Sequence, residues 1–197
     1  VRREGLSIVV VGVGGQGVVF CSRLIAETAV RKGVHAVMSE VHGMSQRGGI
    51  VESSVVLGKD NCPMVSKGGA DLLLATEPLE ALRALSYLSQ DGVVVTSLSP
   101  LVPYSCVTKP SSYPSREEMI RVMKSHVGKV FAIDPGLGAP GKRLFINVAL
   151  VGGALRHNLL PFLKEDVEQA LRNLVEPKQF QPNLASLGFG YESVMEL

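Results

Sequence analysis

Tryptophan is absent from this chain of 197 residues, and aromatic residues together make up only 5% of it. No stretch interleaves Lys or Arg with Tyr or Phe, so the platform on which bases would stack is missing. Charge of one sign is equally scarce. Twenty basic side chains against eighteen acidic ones leave a net charge of +2, too slight to draw a polyanion, and no nucleic-acid partner is expected. Cysteine is limited to Cys21, Cys62 and Cys106, odd in number and far apart. Neither a disulfide framework nor a local C-x-x-C metal or iron–sulfur motif follows from that spacing. Reduced, mostly buried thiols suit a cytoplasmic protein. Long apolar runs are lacking too: the run after Arg2 and Arg3 breaks at Gly12, far short of a secretory segment or a membrane span. The expectation is a soluble, intracellular chain with no membrane partner.

Hydrophobic residues make up 46% of the chain and charged ones 19%, a balance that favours a packed globular protein. Nothing reads as a linker, so one domain over residues 1–197 is expected. Apolar β-branched runs alternate with helical patterns, which predicts an α/β, three-layer Rossmann-like fold with a mostly parallel (mixed) central sheet. Strands are predicted over 6–12, 34–39, 50–58, 70–76, 92–97 and 129–134, the last clear one. Helices are predicted over 17–33, ending at Gly33, over 78–88, opened by Pro78, and over 116–126, capped by Ser115 and Glu118. Two more fall at 143–158 and 164–175. Residues 40–49 read as a loop and the Pro/Ser-rich stretch after Leu98 as an excursion. The C-terminal segment 182–194 indicates only packing.

The sharpest local signal is VGVGGQGVVF, residues 11–20, where Gly12, Gly14 and Gly17 have G-x-G-x-x-G spacing between a strand and a helix. Such a turn lets an anion approach the orphan N–H groups of a helix N-terminus. Glu40 stands where the acid that binds a dinucleotide ribose is expected, near the end of the second strand. Gly15 and Gln16 are less ordinary, because a side-chain amide there puts a polar group where phosphate would sit.

A second segment, SEVHGMSQRGGIVESSVVLG from Ser39 to Gly58, has no place in a dinucleotide fold. Taken with GVGGQGVV, it makes the chain resemble the gamma-type subunits of the 2-oxoacid:ferredoxin oxidoreductases, and most closely the beta-subunit family of the indolepyruvate enzymes. The resemblance runs from about residue 6 to the INVALVGGAL segment near 155. It implies a gamma-type domain that looks like a Rossmann fold without being an NAD site. It also implies a thiamine diphosphate/iron–sulfur catalytic subunit as partner, with ferredoxin reached through the complex. The complex would use thiamine diphosphate, magnesium, iron–sulfur clusters and coenzyme A, and convert a 2-oxoacid to acyl-CoA, carbon dioxide and reduced ferredoxin. No thiamine diphosphate signature or iron–sulfur cysteine cluster stands in this chain, so it carries none of those cofactors alone. Its implied part is to close the active site and help place the acyl acceptor or the substrate side chain. An apolar face left for such a partner makes a homodimer of the isolated chain unsurprising.

On that resemblance Gly12, Gly14, Gly15, Gln16 and Gly17 form either a seat for a coenzyme A phosphate or partner carboxylate, or a tight turn with no ligand. Arg47, flanked by Gly48 and Gly49, is the best anion contact because its planar fork suits carboxylate and phosphate; a solvated loop is the alternative. Ser45 and Gln46 are further polar contacts. Glu40 and His42 form either an acid–base pair or a structural hydrogen bond. Asn147, in an otherwise apolar helix, needs a partner if buried and is read as a bridge to the glycine-rich turn. Gly152 and Gly153 suggest close approach of another backbone. No metal ligands and no roles for His35, His126 or His157 emerge. The competing reading is a nucleotide-binding regulatory or interaction module built on the G-x-G-x-x-G turn.

Overall fold

The computed structural model describes residues 5–42, 49–58, 62–102, 113–139 and 144–197. Among these residues seven strands form one sheet: β1 Gly5–Val13, β2 Ala36–His42, β3 Ile50–Gly58, β4 Ala70–Ala75, β5 Leu88–Ser97, β6 Lys129–Ile133 and β7 Met195–Glu196. Their order is β2-β3-β1-β4-β5-β6-β7. The middle, from β1 to β6, is parallel, whereas β3 runs antiparallel to both β1 and β2, and β7 antiparallel to β6. The mixed α/β sheet is therefore the one read from the sequence.

Burial explains why these segments are strands. Residues Ile8 to Val11 and Leu72 to Leu74 are buried on both faces of the sheet, as central parallel strands require. Among the described residues six helices cover it: α1 Val18–Arg31, α2 Pro78–Ala84, α3 Arg116–His126, α4 Ile146–Arg156, α5 Lys164–Leu174 and α6 Pro177–Ser193. One face packs Leu24 and Ile25 of α1, Leu150 of α4, Leu171 of α5 and Leu187 of α6 against Ile8, Val10 and Leu72. The other packs Ala81 of α2 and Met119 and Met123 of α3 against Val9, Val11 and Leu73. Each fully buried side chain of this size stabilises the fold by about 1.5–3 kcal/mol. At the end of α3's sheet neighbour, Arg116 pairs with Asp134 at 2.8 Å.

Several boundaries differ from the expectation. β2 continues through His42, so residues 40–42 belong to a strand, and residues 43–48 of the expected loop lie outside the described residues. The helix predicted over 78–88 stops at Ala84, passes through a 3-10 turn over Leu85–Tyr87 and leaves Leu88 to begin β5. Gly92 permits this, because a side chain there would strike Leu88 and the Ala70 carbonyl, and the pairing of β4 with β5 shifts register at that point. The C-terminal segment is also more than packing: α6 runs through Pro182, and β7 adds a strand after the expected last one.

Packing holds α6 in spite of its breakers. A Cβ on Gly190 would lie 1.9 Å from the Ala149 carbonyl oxygen, and one on Gly152 would lie 2.1 Å from that of Leu187. The second backbone that Gly152 approaches is thus α6. Within α6, Asn183 Nδ2 donates to the Gln179 carbonyl at 2.8 Å and Ser186 Oγ to that of Pro182 at 2.8 Å.

Candidate functional site

The chain reverses direction in the sheet between β1 and β4, since α1 leads outward to β2 and α2 leads the other way. In an open α/β sheet this switch point, at the carboxyl ends of the strands, is where ligands bind. The glycine-rich turn stands there. Gly17 caps α1 in the left-handed conformation, φ 78°, which a side chain disfavours, and an added Cβ would also lie 2.5 Å from Asn147 Nδ2.

The Gln16 side chain turns inward. Its Oε1 accepts from the Val13 N–H at 2.9 Å and the Thr76 hydroxyl at 2.8 Å, and its Nε2 donates to the Thr76 carbonyl at 3.4 Å. The carboxamide thus bridges β1 to the end of β4, while the residue also lines the cavity beside the turn. Gly12 makes room, because a Cβ there would sit 1.8 Å from Thr76 Oγ1.

Asn147, only 5% exposed in the first turn of α4, donates from Nδ2 to the Gly17 carbonyl at 3.0 Å. Gly14 donates its N–H to the Gly49 carbonyl at 2.9 Å. That bond brings the end of the second motif onto the turn of the first, extending a ladder in which Gly12 faces Val51 and Val13 faces Ile50. Ser45, Gln46, Arg47 and Gly48 lie outside the described residues.

Glu40 sits elsewhere than a ribose-binding acid requires. It faces Ser53 of β3, which in turn faces Val10 of β1, so a whole antiparallel strand separates it from the glycine turn. Two strand spacings amount to about 10 Å. His42, at the end of β2, faces Val51.

A cavity of about 590 Å³ opens beside the turn, lined by Gly15, Gln16, Gly17, Phe20 and Asn147 and, from the start of α6, Lys178. Lys178 also pairs with Glu176 at 2.7 Å. Glu176 lines the same cavity, so its carboxylate offsets the Lys178 ammonium and only the backbone N–H groups at the start of α1 are left to favour an anion. Sequence reasoning missed Lys178, Thr76 and Glu77, the last a buried carboxylate that accepts from the Glu80 N–H at 2.9 Å, the Leu101 N–H at 3.3 Å and the Tyr113 hydroxyl. The signal for the last two was a polar pair that ends a buried strand and precedes Pro78. Cys21 is a packing residue: complete burial pushes its thiol up to about 12, which removes it from nucleophilic chemistry at neutral pH. Among the described residues no group of three or more His, Cys, Asp or Glu is placed to hold a metal ion, and no helix is long and apolar enough to cross a membrane.

Residues 7–193 match the pyruvate ferredoxin/flavodoxin oxidoreductase family. The chain belongs to that family. Among its relatives, the indolepyruvate oxidoreductase subunit IorB of Archaeoglobus fulgidus is 37% identical over 192 residues, 96% of each chain. The subunit of the same name from Pyrococcus horikoshii is 35% identical over 195 residues, 97% of this chain and 96% of that one. Among solved structures, the Thermotoga maritima pyruvate oxidoreductase subunit PORC superposes with a TM-score of 0.72 at 19% identity, covering 98% of this chain and 99% of that one. The gamma subunit of a keto/oxoacid ferredoxin oxidoreductase from Geobacter sulfurreducens gives 0.66 at 23%, covering 96% and 95%. The two structures share the fold of this pyruvate ferredoxin/flavodoxin oxidoreductase chain. It is a subunit of a 2-oxoacid:ferredoxin oxidoreductase, an enzyme complex.

Proposed function

We propose that the chain serves an indolepyruvate or related aryl 2-oxoacid ferredoxin oxidoreductase in the cytoplasm, where its carboxyl edge closes the active site of a thiamine diphosphate/iron–sulfur subunit. The reaction of the complex is oxidative decarboxylation of the 2-oxoacid to acyl-CoA, with the electrons passed to ferredoxin. The observation that carries the reading is the bond from the Gly14 N–H to the Gly49 carbonyl, which joins the glycine turn to the last residue of the second motif at the switch point.

The relatives named for indolepyruvate support the substrate class, since they match over nearly the whole chain. Magnesium, thiamine diphosphate and the clusters belong to the partner in this reading. Coenzyme A is the one group this chain helps to place. The start of α1 suits a phosphate, and in this reading Arg47, whose planar fork fits phosphate, is a second anion contact.

The test is to purify the native complex through this chain, assay iron, sulfide and thiamine, and measure viologen reduction with a panel of 2-oxoacids. Indolepyruvate-dependent turnover that requires this chain and coenzyme A is the expected result. A chain recovered alone, with an NAD affinity that Glu40→Ala abolishes, would overturn the reading in favour of a nucleotide-binding module.

A further inference from the structure

Two side-chain atoms among the described residues are enclosed without a hydrogen-bond partner, Ser22 Oγ and His157 Nε2. A hydroxyl in that position stays neutral. An imidazole can take up a proton close to neutral pH and become a cation, so what surrounds His157 matters in a way that the surroundings of Ser22 do not.

His157 is the C-cap of α4, and its ring lies on that of Phe131 in β6, with centroids 3.9 Å apart and planes 23° from parallel. Phe131 is buried and faces Glu196 of β7 across the ladder. The imidazole thus covers the point where β6 receives β7. That strand is short: Met195 pairs with Ala132 and Glu196 with Phe131, and the next residue, Leu197, donates its N–H to the Val130 carbonyl at 2.9 Å. So small a ladder depends on the packing around it. Just before β7, Val194 meets the same helix, since a Cβ on Gly153 would lie 3.2 Å from Val194 Cγ2.

The charges around the ring oppose one another. Burial, and then the Arg156 guanidinium, hold His157 below its usual value, while the Glu196 carboxylate pulls the other way. On the side of α5 and α6, Arg156 and Lys164 flank the Tyr191 ring at 5.6 and 5.5 Å, and Lys164 is 4.0 Å from Glu168. A proton on Nε2 in the stacked position would make an enclosed cationic donor with no acceptor.

We infer that His157, Phe131 and Glu196 form an acid-sensitive latch on β7: uptake of a proton by His157 drives its ring off Phe131 and releases β7 from β6. In the open state the ring is solvated and has its ordinary value of about 6.5. A folded value held below that one makes the closed latch fully stable above about pH 6.5 and weakens it as pH falls further.

The test is hydrogen exchange on the assembled complex at pH 7.5 and 5.5, expressed as protection relative to an unstructured chain at the same pH. Protection of the Leu197 amide should fall by up to about tenfold between the two, the limit set by an ordinary histidine in the open state, while the Leu73 amide in β4 keeps its protection. His157→Phe keeps a ring on Phe131 but cannot ionise, and its Leu197 protection should be the same at both pH values. His157→Gln cannot ionise either and lacks the stack, so its protection should be weaker than in the wild type at pH 7.5 and equally independent of pH. Wild-type protection at Leu197 that ignores pH would overturn the latch. So would an acid loss that persists in the two variants, or one that is as large at Leu73 as at Leu197.

Discussion

The two halves of α4 are held by different physics. At its start Asn147 reaches the glycine turn through one directed hydrogen bond, and the same turn is braced by Gln16 and Thr76. Further along, Ala149 and Gly152 meet α6 by close approach, with Gly190 and Leu187 so near that a single added carbon would overlap backbone oxygens. A hydrogen bond lost from the first region leaves neighbours that can relax or recruit water. A methyl group added in the second has nowhere to go, because interiors are packed like crystals. The polar end of the helix should therefore tolerate deletion better than the apolar part tolerates growth.

The strongest challenge to that contrast is Gly190→Val. Separation of α4 from α6 should cost about 3 kcal/mol or more and lower Tm by about 6–12 °C in a chain of this length, read by calorimetry. Asn147→Ala should cost about 1 kcal/mol, because the Gly17 carbonyl retains the bond from the Cys21 N–H. A larger loss in Asn147→Ala than in Gly190→Val would reverse the comparison.

The smallest effect belongs to the surface pair beyond both regions. Burial works against the Asp134 carboxylate, but the Arg116 guanidinium and the Gly136 N–H outweigh it and hold the group below the usual carboxylate range. A depressed folded value contributes stability above the unfolded value, and that contribution is lost as pH falls below about 4. Urea midpoints measured across the acid range should therefore decline less steeply for Asp134→Asn than for the wild type.

The same contrast separates what could be read in the sequence from what could not. Strands β1 and β4 were legible because uninterrupted apolar runs are what burial on both faces demands, and the capped start of α3 was legible because its signals are local. The glycine turn and the partner of Asn147 followed from chemistry that announces itself at one position. Helix α6 did not, since Pro182, Gly188 and Gly190 argue against a helix until Gly190 is seen to face Ala149 of α4, where a larger residue has no room. Thr76 and Glu77 escaped for a related reason: their partners, Gln16, Leu101 and Tyr113, are remote in the chain, and only the folded sheet brings them within reach. The placement of β3 between β1 and β2 likewise depends on sheet order, which the spacing from Gly17 to Glu40 does not encode.

The inward turn of Gln16 has one more consequence. A group tethered to the crevice it fills acts at an effective concentration on the order of millimolar or above. Any free nucleotide seeking the gap between β1 and β4 must first evict this resident carboxamide and leave the Val13 N–H without its acceptor. The chain thus fills the gap between β1 and β4 with its own side chain and leaves the cavity on the α1 and α6 side of the turn as the space open to a solute.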